Sequence, residues 1–163
     1  MDSSDIYFLK KALAQAEKAY AQEEVPIGAI LVSKNRIISE GFNLREAQND
    51  PTAHAEIIAL QKASQKLKSW RLEGTTLYVT CEPCLMCAGA LVQARIERLV
   101  YGCADPKAGA VSSLYQTLQD SRLNHQIIVQ GGVLEEECRE LLQKFFKLRR
   151  GVRVAEGARL ESV

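Results

Sequence analysis

Residues 75–94 read TTLYVTCEPCLMCAGALVQA, and this stretch joins a strand pattern directly to a helix pattern. Residues 75–80 are rich in threonine, tyrosine and valine, which favours a β-strand. Pro83 suits the first turn of a helix, because the amide hydrogen it lacks has no partner there. The apolar pattern then continues as a helix to Ala94. A strand followed at once by a helix predicts an α/β protein.

Helix and strand patterns alternate on both sides of this unit. Apolar spacing predicts further helices over residues 5–22, 53–67 and 134–150, the first capped near Ser4 or Asp5. Further strands are predicted over residues 27–32, 36–39, 98–102 and 127–130, with a turn at 33–35 that makes the first two a hairpin. Loops are predicted over residues 41–51 and 105–110, with an extra turn near Leu114. This order predicts one mixed sheet with helices on its faces.

The chain has the length of one ordinary domain. Domains usually contain about 100–200 residues, and this chain has 163. Residues 151–163 lack a clear apolar period, so we expect a flexible C-terminal tail after a single domain over residues 1–150.

Composition and charge limit the possible function classes. Hydrophobic residues make up 47% and charged residues 25%, which is typical of a soluble domain and excludes a disordered chain. Residues 1–5 are acidic and lack the order of a signal peptide, so we expect a cytosolic protein without membrane spans. The 21 basic residues nearly balance the 20 acidic ones, and nucleic-acid binding would therefore depend on a local basic patch.

The cysteines carry the main functional signal. The chain has five, an odd number that does not suit a disulfide framework, and three of them fall within residues 81–87. Cys84 and Cys87 are three residues apart, so their thiols share one helix face, and the helix N-terminus favours their thiolate form. His54, at the start of another predicted helix, can supply a nitrogen ligand, and Glu56 lies two residues further on. Three ligands with one open position are typical of a catalytic zinc site.

Other interpretations of these residues remain open. A lone Cys-x-x-Cys motif also occurs in structural zinc and redox sites, but a redox site does not explain His54 or Glu56. A closed four-cysteine site would need a second such motif, although Cys81 is a possible fourth ligand. Cys103 and Cys138 lie in apolar surroundings and are expected to be buried.

With these motifs the chain resembles the zinc-dependent cytidine/deoxycytidylate deaminase superfamily, whose signature is His-x-Glu followed by Pro-Cys-x-x-Cys. Within the superfamily it is most similar to the bacterial tRNA adenosine deaminases. The similarity extends over residues 5–150. The matching stretches are residues 25–29, 41–43, 50–56, 75–90, 105–110, 124–125 and 145–150.

The resemblance implies a fold, an activity and a metal. The fold would be a cytidine-deaminase-like three-layer α/β/α sandwich around a mixed five-stranded sheet. The activity would be hydrolytic deamination of adenosine to inosine at the first anticodon position of tRNA. His54, Cys84 and Cys87 would bind one Zn²⁺ per subunit, and Glu56 would transfer protons between water and the base. Members of this family are homodimers, so a homodimer is expected.

The resemblance also implies contacts with an anticodon stem-loop. Asn43 would hydrogen-bond the base, and backbone groups near Ala55 and Cys84 would stabilise developing charge. The residues expected to hold flanking nucleotides or phosphates are Asp105, Lys107, Asn124, His125, Phe145, Phe146, Arg149 and Arg150. Lys144 and Lys147 add to a basic patch with the two arginines.

Taken one at a time, these residues have simpler explanations. Asn43 could be an ordinary loop asparagine, and the charged and polar loop residues could be solvated surface. Phe145 and Phe146 are adjacent, so only one can face the core of a helix packed on a sheet, and the other is free to stack on a base. The basic residues also match the dipole of a helix C-terminus.

Two other functions are compatible with the motifs. A deaminase of a free base or nucleoside, such as guanine, cytosine or cytidine, would share the zinc chemistry but needs no basic Phe-Phe helix. A non-catalytic binding module stabilised by zinc would keep the three ligands but has no use for Glu56. The products formed by the intact chain and by a Glu56 variant distinguish these functions.

Overall fold

The computed structural model describes the backbone of residues 2–161 and the side chains of residues 2–152. The helices are α1 (Ser3–Ala21), α2 (Arg45–Gln48), α3 (Ala55–Leu67), α4 (Leu85–Ala94) and α5 (Glu135–Glu161). The strands are β1 (Gly28–Ser33), β2 (Arg36–Phe42), β3 (Thr76–Cys81), β4 (Arg98–Cys103) and β5 (Ile128–Gln130). None of the helices in this part of the chain is long and apolar enough to cross a bilayer.

The five strands form one mixed sheet in the order β2-β1-β3-β4-β5. The β1 strand is antiparallel to both β2 and β3, whereas β3, β4 and β5 run parallel. Helices α3 and α4 cover one face of the sheet, and α1 and α5 cover the other. The three-layer α/β/α sandwich with a mixed five-stranded sheet is therefore confirmed.

Each face of the sheet has its own apolar core. On the α3–α4 face, Leu91 packs with Leu77 and Leu99, all fully buried. On the α1–α5 face, Leu9 packs with Ile30 and Val100. Burying each of these side chains contributes about 1.5–3 kcal/mol to folding. These two cores fix the helices relative to the sheet and so fix the ends of the helices that carry the motifs.

A close approach of helix to strand sets the position of α3. A Cβ atom on Gly41 in β2 would lie 2.6 Å from the carbonyl oxygen of Ala55, so a larger residue would force the helix away. The first turn of α3 therefore lies directly on the sheet. His54 and Glu56, on either side of Ala55, are held at the same edge.

The start of α1 differs from the prediction. Asp2 is the N-cap, and its side chain accepts a hydrogen bond of 3.1 Å from the Ser4 amide. Asp5, expected near the cap, is buried and accepts two bonds of 2.7 Å from the Arg98 guanidinium. Tyr78 also donates to Asp5, at 3.0 Å. Both partners of Asp5 lie in strands distant in sequence, β3 and β4, so the local pattern did not show that Asp2 rather than Asp5 caps the helix.

Two other boundaries differ from the sequence predictions. The segment expected as a loop over residues 41–51 includes the end of β2 and the short helix α2. The extra turn expected near Leu114 is confirmed, since residues 110–113 form turns and the Leu114 amide donates to the Gly109 carbonyl at 2.9 Å; a short 3-10 helix, Thr117–Gln119, follows it. The last helix, expected to end near Arg150, continues to Glu161, because strong helix formers such as Ala155 and Glu156 follow Gly151. Flexibility of residues 151–163 stays a prediction, and residues 162–163 lie outside the described residues.

Candidate metal centre and adjoining groove

Two helix N-termini meet at the edge where β3 ends. His54 is the N-cap residue of α3, and Cys84 is the N-cap residue of α4. Glu56 lies in the first turn of α3, and Cys87 lies in the first turn of α4. They meet because α3 and α4 pack on the same face of the sheet, and because β3 leads directly into α4.

His54, Cys84 and Cys87 form a cluster of metal-ligand type. One ligand atom from each lies within 4.8 Å of the others. The Nδ1 atom of His54 is 3.4 Å from the sulfur of Cys87 and 3.6 Å from that of Cys84. Two thiols and an imidazole suit zinc better than the hard cations, which prefer oxygen. The donor set therefore fits a zinc ion with one coordination position left open.

Cys81 is not part of this cluster. It is buried and lies opposite Cys103 in the β3–β4 pairing. The thiol of Cys138 is also buried, which confirms the expectation for Cys103 and Cys138. The fourth-ligand role left open for Cys81 therefore has no support in the geometry.

The cluster favours a thiolate before any metal binds. Hydrogen bonding with Cys87, opposed by burial and assisted by His54, lowers the pKa of Cys84 to about 4. Hydrogen bonding with that thiolate, together with burial, raises the pKa of Cys87. One sulfur is thus ionised and suited to a cation, and the other would have to lose its proton to become a second thiolate ligand.

Glu56 lies beside this centre and is only 3% exposed. Burial raises the pKa of Glu56, because the charged form loses hydration. A carboxyl group whose pKa is moved towards neutrality can both accept and return a proton during a reaction.

A small cavity opens beside His54 and Glu56. It has a volume of about 220 Å³. Ligand pockets for drug-sized molecules are usually about 300–1,000 Å³, so this one suits a group the size of a single base. The other residues that line it are Val25, Ile27, Asn43, Arg45, Ala55 and Phe146.

Asn43 is held rigidly in the cavity wall. It is 5% exposed, its Oδ1 accepts from the Arg45 amide at 3.2 Å, and its Nδ2 donates to the Val25 carbonyl at 3.4 Å. Side-chain bonds to nearby main-chain groups are typical of an asparagine in a turn, and here they fix the orientation of the Asn43 amide. Its position in the wall also lets it face whatever occupies the cavity.

The cavity continues into a larger groove of about 670 Å³. Asp105 and Lys107 lie on one rim, and Arg45 and Glu46 lie on the other. Helix α5 contributes Phe145, Phe146, Arg149 and Arg150. Both arginines are exposed. The structure thus brings to one groove six of the eight residues predicted to hold flanking nucleotides or phosphates, and Asn43 lines the same groove.

The two adjacent phenylalanines divide their roles as the helical spacing requires. Phe145 is 5% exposed and packs edge-on against Tyr20, with ring centroids 6.1 Å apart. Phe146 is 46% exposed and lines both the cavity and the groove. Phe146 is therefore the one available for stacking.

Asn124 and His125 are not brought to this groove within the chain. They lie in the segment before β5 and line neither the cavity nor the groove. The Nε2 atom of His125 is 2.7 Å from the Ile96 carbonyl oxygen, so the ring has a structural partner. Their contact with RNA stays a prediction.

Sequence reasoning missed several residues of the groove, notably Glu24, Arg45 and Arg139. Arg45 lies in a segment that was expected to be a loop, so no role was predicted for it. Glu24 directly precedes the apolar run that begins at Val25, and an acidic residue in that position could have been considered as a buried partner for main-chain amides.

Comparisons with known proteins agree with this geometry. The family of MafB19-like deaminases matches residues 2–150. The tRNA-specific adenosine deaminase of Bacillus subtilis (strain 168) is 49% identical over 145 residues, covering 89% of this chain and 90% of the relative. A solved tRNA:A34 deaminase, studied for A-to-I editing at the wobble position of transfer RNA, has a TM-score of 0.81 at 45% identity and covers 83% of this chain and 99% of its own. The guanine deaminase of Bacillus subtilis has a TM-score of 0.59 at 40% identity, covering 64% of this chain and 66% of its own.

Proposed function

This chain belongs to the tRNA-specific adenosine deaminase family, and we propose that it hydrolyses adenosine to inosine at the first anticodon position of tRNA. The observation that carries the proposal is the buried Glu56 beside the His54 cluster, in the wall of a base-sized cavity that opens into a longer groove. A tRNA substrate implies that the enzyme works in the cytoplasm.

The metal we propose is zinc, one ion per subunit, held by His54, Cys84 and Cys87. Two thiolates balance its charge, so the site does not become a strong trap for anions. When bound, zinc supplies Lewis acidity that makes water a nucleophile at neutral pH.

Glu56 carries the proton transfers. Its carboxylate takes a proton from the water whose oxygen attacks C6 of adenine, and then delivers a proton to N1. The carboxylate next takes the remaining proton of the new C6 hydroxyl and gives it to the departing amino group. The C6–N bond breaks and ammonia leaves, so that adenosine and water give inosine and ammonia. Backbone amides at the starts of α3 and α4, near Ala55 and Cys84, stabilise the charge that develops.

The cavity wall holds the base. Asn43 hydrogen-bonds the base edge, and its own bonds to Val25 and Arg45 keep it oriented for this task. Phe146 stacks on a base, and base-aromatic stacking contributes about 1–3 kcal/mol in single-stranded sites. Asn124 and His125 remain candidates for contacts with flanking nucleotides.

The groove beyond the cavity binds the anticodon loop. Lys107 and Asp105, on one rim, contact flanking nucleotides. Arg149 and Arg150 on α5 neutralise phosphates. Arg149 is held in place by Phe145, whose ring lies 5.3 Å from the guanidinium carbon. Free bases and nucleosides have no use for this extended basic surface.

Replacing Arg149 and Arg150 together by alanine is expected to weaken stem-loop binding and flatten its salt dependence. Each phosphate that the protein no longer neutralises reduces the slope of log K against log salt by about 0.7 for single-stranded RNA. Fluorescence anisotropy at several salt concentrations measures both quantities. Lys34→Ala/Arg36→Ala is the matched control, since this hairpin lies at the opposite end of the sheet. Unchanged affinity and slope in the α5 variant would remove this helix from the interface.

The alternative substrate class is a free base or nucleoside. Because the chain is also similar to a guanine deaminase, guanine is the free base to test first. Initial rates on an anticodon stem-loop, free adenosine, guanine and cytidine separate the two classes. We expect the stem-loop to be consumed far faster than any free substrate. Comparable rates on free guanine or cytidine would overturn the substrate assignment.

We also propose that two copies pair through the outer face of α3 and α4. This face has half-buried apolar residues, Ile57 and Ala90, among exposed glutamines, and Trp70, 60% exposed, lies at its edge. A Cβ atom on Gly89 would meet nothing within 4 Å, so this turn of α4 has room for a close neighbour. The inner side of α4 is already used, because Ala88 and Leu91 pack on the sheet.

Ala90→Arg is expected to convert the dimer to a monomer, because it places an unpaired charge in an apolar contact. Sedimentation velocity should give twice the 18.1 kDa chain mass for the intact protein and the single chain mass for the variant. Ala14→Arg, on the exposed side of α1, is the control and should remain dimeric. An intact protein that is fully active as a monomer would contradict the proposal.

A further inference from the structure

Two buried carboxylates lie beside the groove and are not used by the reaction. Glu24 is 1% exposed and Glu82 is 3% exposed. Neither belongs to the metal cluster. Each accepts hydrogen bonds from main-chain amides, and in each case one donor residue, Glu46 for Glu24 and Asp105 for Glu82, lines the groove.

Glu82 organises the rim that carries Asp105 and Lys107. Glu82 follows the last residue of β3 directly, and its own amide donates to the Cys103 carbonyl at the end of β4, at 2.9 Å. Its two carboxylate oxygens accept from the amides of Asp105 (3.1 Å), Val111 (3.1 Å), Ser112 (2.9 Å) and Ser113 (3.0 Å), and from the Ser113 hydroxyl. One side chain thus ties both ends of the segment 105–113 to the sheet.

The middle of this segment is wrapped tightly around the same carboxylate. A Cβ atom on Gly109 would overlap the Glu82 carboxyl group, so only glycine fits there. Gly109 also pairs with Cys84, and the Ala110 amide donates to the Pro83 carbonyl at 2.9 Å. The rim is therefore anchored against the start of α4.

All five groups that hydrogen-bond the Glu82 carboxyl are N–H or O–H donors. A carboxylate offers acceptor positions only, which matches a ring of N–H and O–H donors.

Glu24 does the same for the opposite rim. Its oxygens accept from the Ala47 amide at 2.7 Å and from the Glu46 amide at 3.2 Å. These amides lie in the short helix α2, whose N-cap residue makes no side-chain bond of its own. The Glu24 carboxylate thereby fixes the helix that presents Arg45 to the groove.

We infer that Glu24 and Glu82 are positioning residues for RNA, which hold the two rims of the groove in the arrangement that the anticodon loop binds. The inference rests on the proposed function of the groove. Neither carboxylate touches the reacting atoms, so each acts through the rim residues that it fixes. A rim that must be ordered at each binding event costs conformational entropy, and that cost appears as weaker binding.

Glu82→Gln is the direct test, because it keeps the volume but places an NH₂ group where an oxygen accepts. The glutamine has one oxygen that accepts, where the carboxylate has two. Either the Asp105 amide or the amides of Val111–Ser113 therefore lose their acceptor, in either orientation of the side chain. The KM for an anticodon stem-loop is expected to rise about 10-fold or more, in line with the loss of hydrogen bonds to a buried charge. We expect kcat and the zinc content to change little, since residues 105–113 do not line the base cavity.

Hydrogen exchange gives a readout that does not depend on activity. In Glu82→Gln the amides of Asp105 and Val111–Ser113 are expected to exchange faster, while amides of β3 stay protected. Gly109→Ala should also speed exchange and raise KM, because the added methyl group displaces the segment from an intact Glu82 carboxylate. This second variant keeps the test usable if Glu82→Gln folds poorly. Glu24→Gln should raise KM and speed exchange at Glu46 and Ala47.

Asp5→Asn is the matched control, because it also neutralises a buried carboxylate but lies on the α1 side of the sheet. It should lower stability without changing KM. An unchanged KM or unchanged exchange in both the Glu82→Gln and Gly109→Ala proteins, beside an intact protein that forms inosine, overturns this inference alone. No inosine from the intact protein overturns the proposed function, and this inference with it.

Discussion

Glu56→Ala is expected to abolish deamination while the zinc stays bound. Glu56 is buried in the wall of the centre, and we have assigned it every proton transfer of the reaction. Removing a general acid-base residue typically slows catalysis about 10²–10⁴-fold. The three ligands, His54, Cys84 and Cys87, are untouched by the substitution, so metal affinity is retained.

Two measurements on the same Glu56→Ala preparation decide this prediction: the rate of inosine formation and the zinc content by atomic absorption. Glu56→Gln, with nearly the same volume, shows whether the lost carboxylate or the lost packing is responsible. Asp5→Asn, another buried carboxylate, should remain active. Full turnover in both Glu56 variants would contradict the assignment of the proton transfers to Glu56. No inosine from the intact, zinc-loaded protein would instead favour the non-catalytic zinc module.

Cys87→Ala is expected to remove both the metal and the activity. The Cys87 sulfur lies 3.4 Å from the His54 ring nitrogen, and without it only two ligands remain. A site with two protein ligands binds zinc far more weakly than one with three. Because a ligand that binds only the folded state adds to stability in proportion to the logarithm of its affinity, thermal stability should also fall.

Zinc content, turnover and melting temperature measured with and without added zinc test the Cys87 prediction. Cys138→Ala is the matched control, since this thiol is equally buried but packs behind β4. The control should keep one zinc per chain and full activity. One equivalent of tightly bound zinc in Cys87→Ala would show that the ligand set is wrong.

The parts of the fold that the sequence predicted are those set by local patterns. The β3–α4 unit combines strand propensity, a proline at the turn and an apolar helix, and the structure has all three in place. The ligand cluster was predictable for a different reason, because metal chemistry restricts which residue types can serve.

The parts that were missed depend on partners distant in sequence. Asp5 caps nothing and instead pairs with Arg98, a residue 93 positions away. Helix α2 forms where Glu24 supplies acceptors to its amides. A helix of four residues is too short to show an apolar period, so the sequence pattern did not predict it. The groove likewise depends on Glu82 and the distant amides of residues 105–113.

Nucleoside mass spectrometry of an anticodon stem-loop that carries adenosine at its first anticodon position tests the proposed deamination directly. The stem-loop is incubated with the intact, zinc-loaded protein, with Glu56→Ala as the control and with free adenosine, cytidine and guanine in parallel. We expect inosine in the stem-loop at that position, none with the control and little product from the free substrates. Uridine or xanthine from a free substrate, with no inosine in the stem-loop, would contradict the proposed deamination.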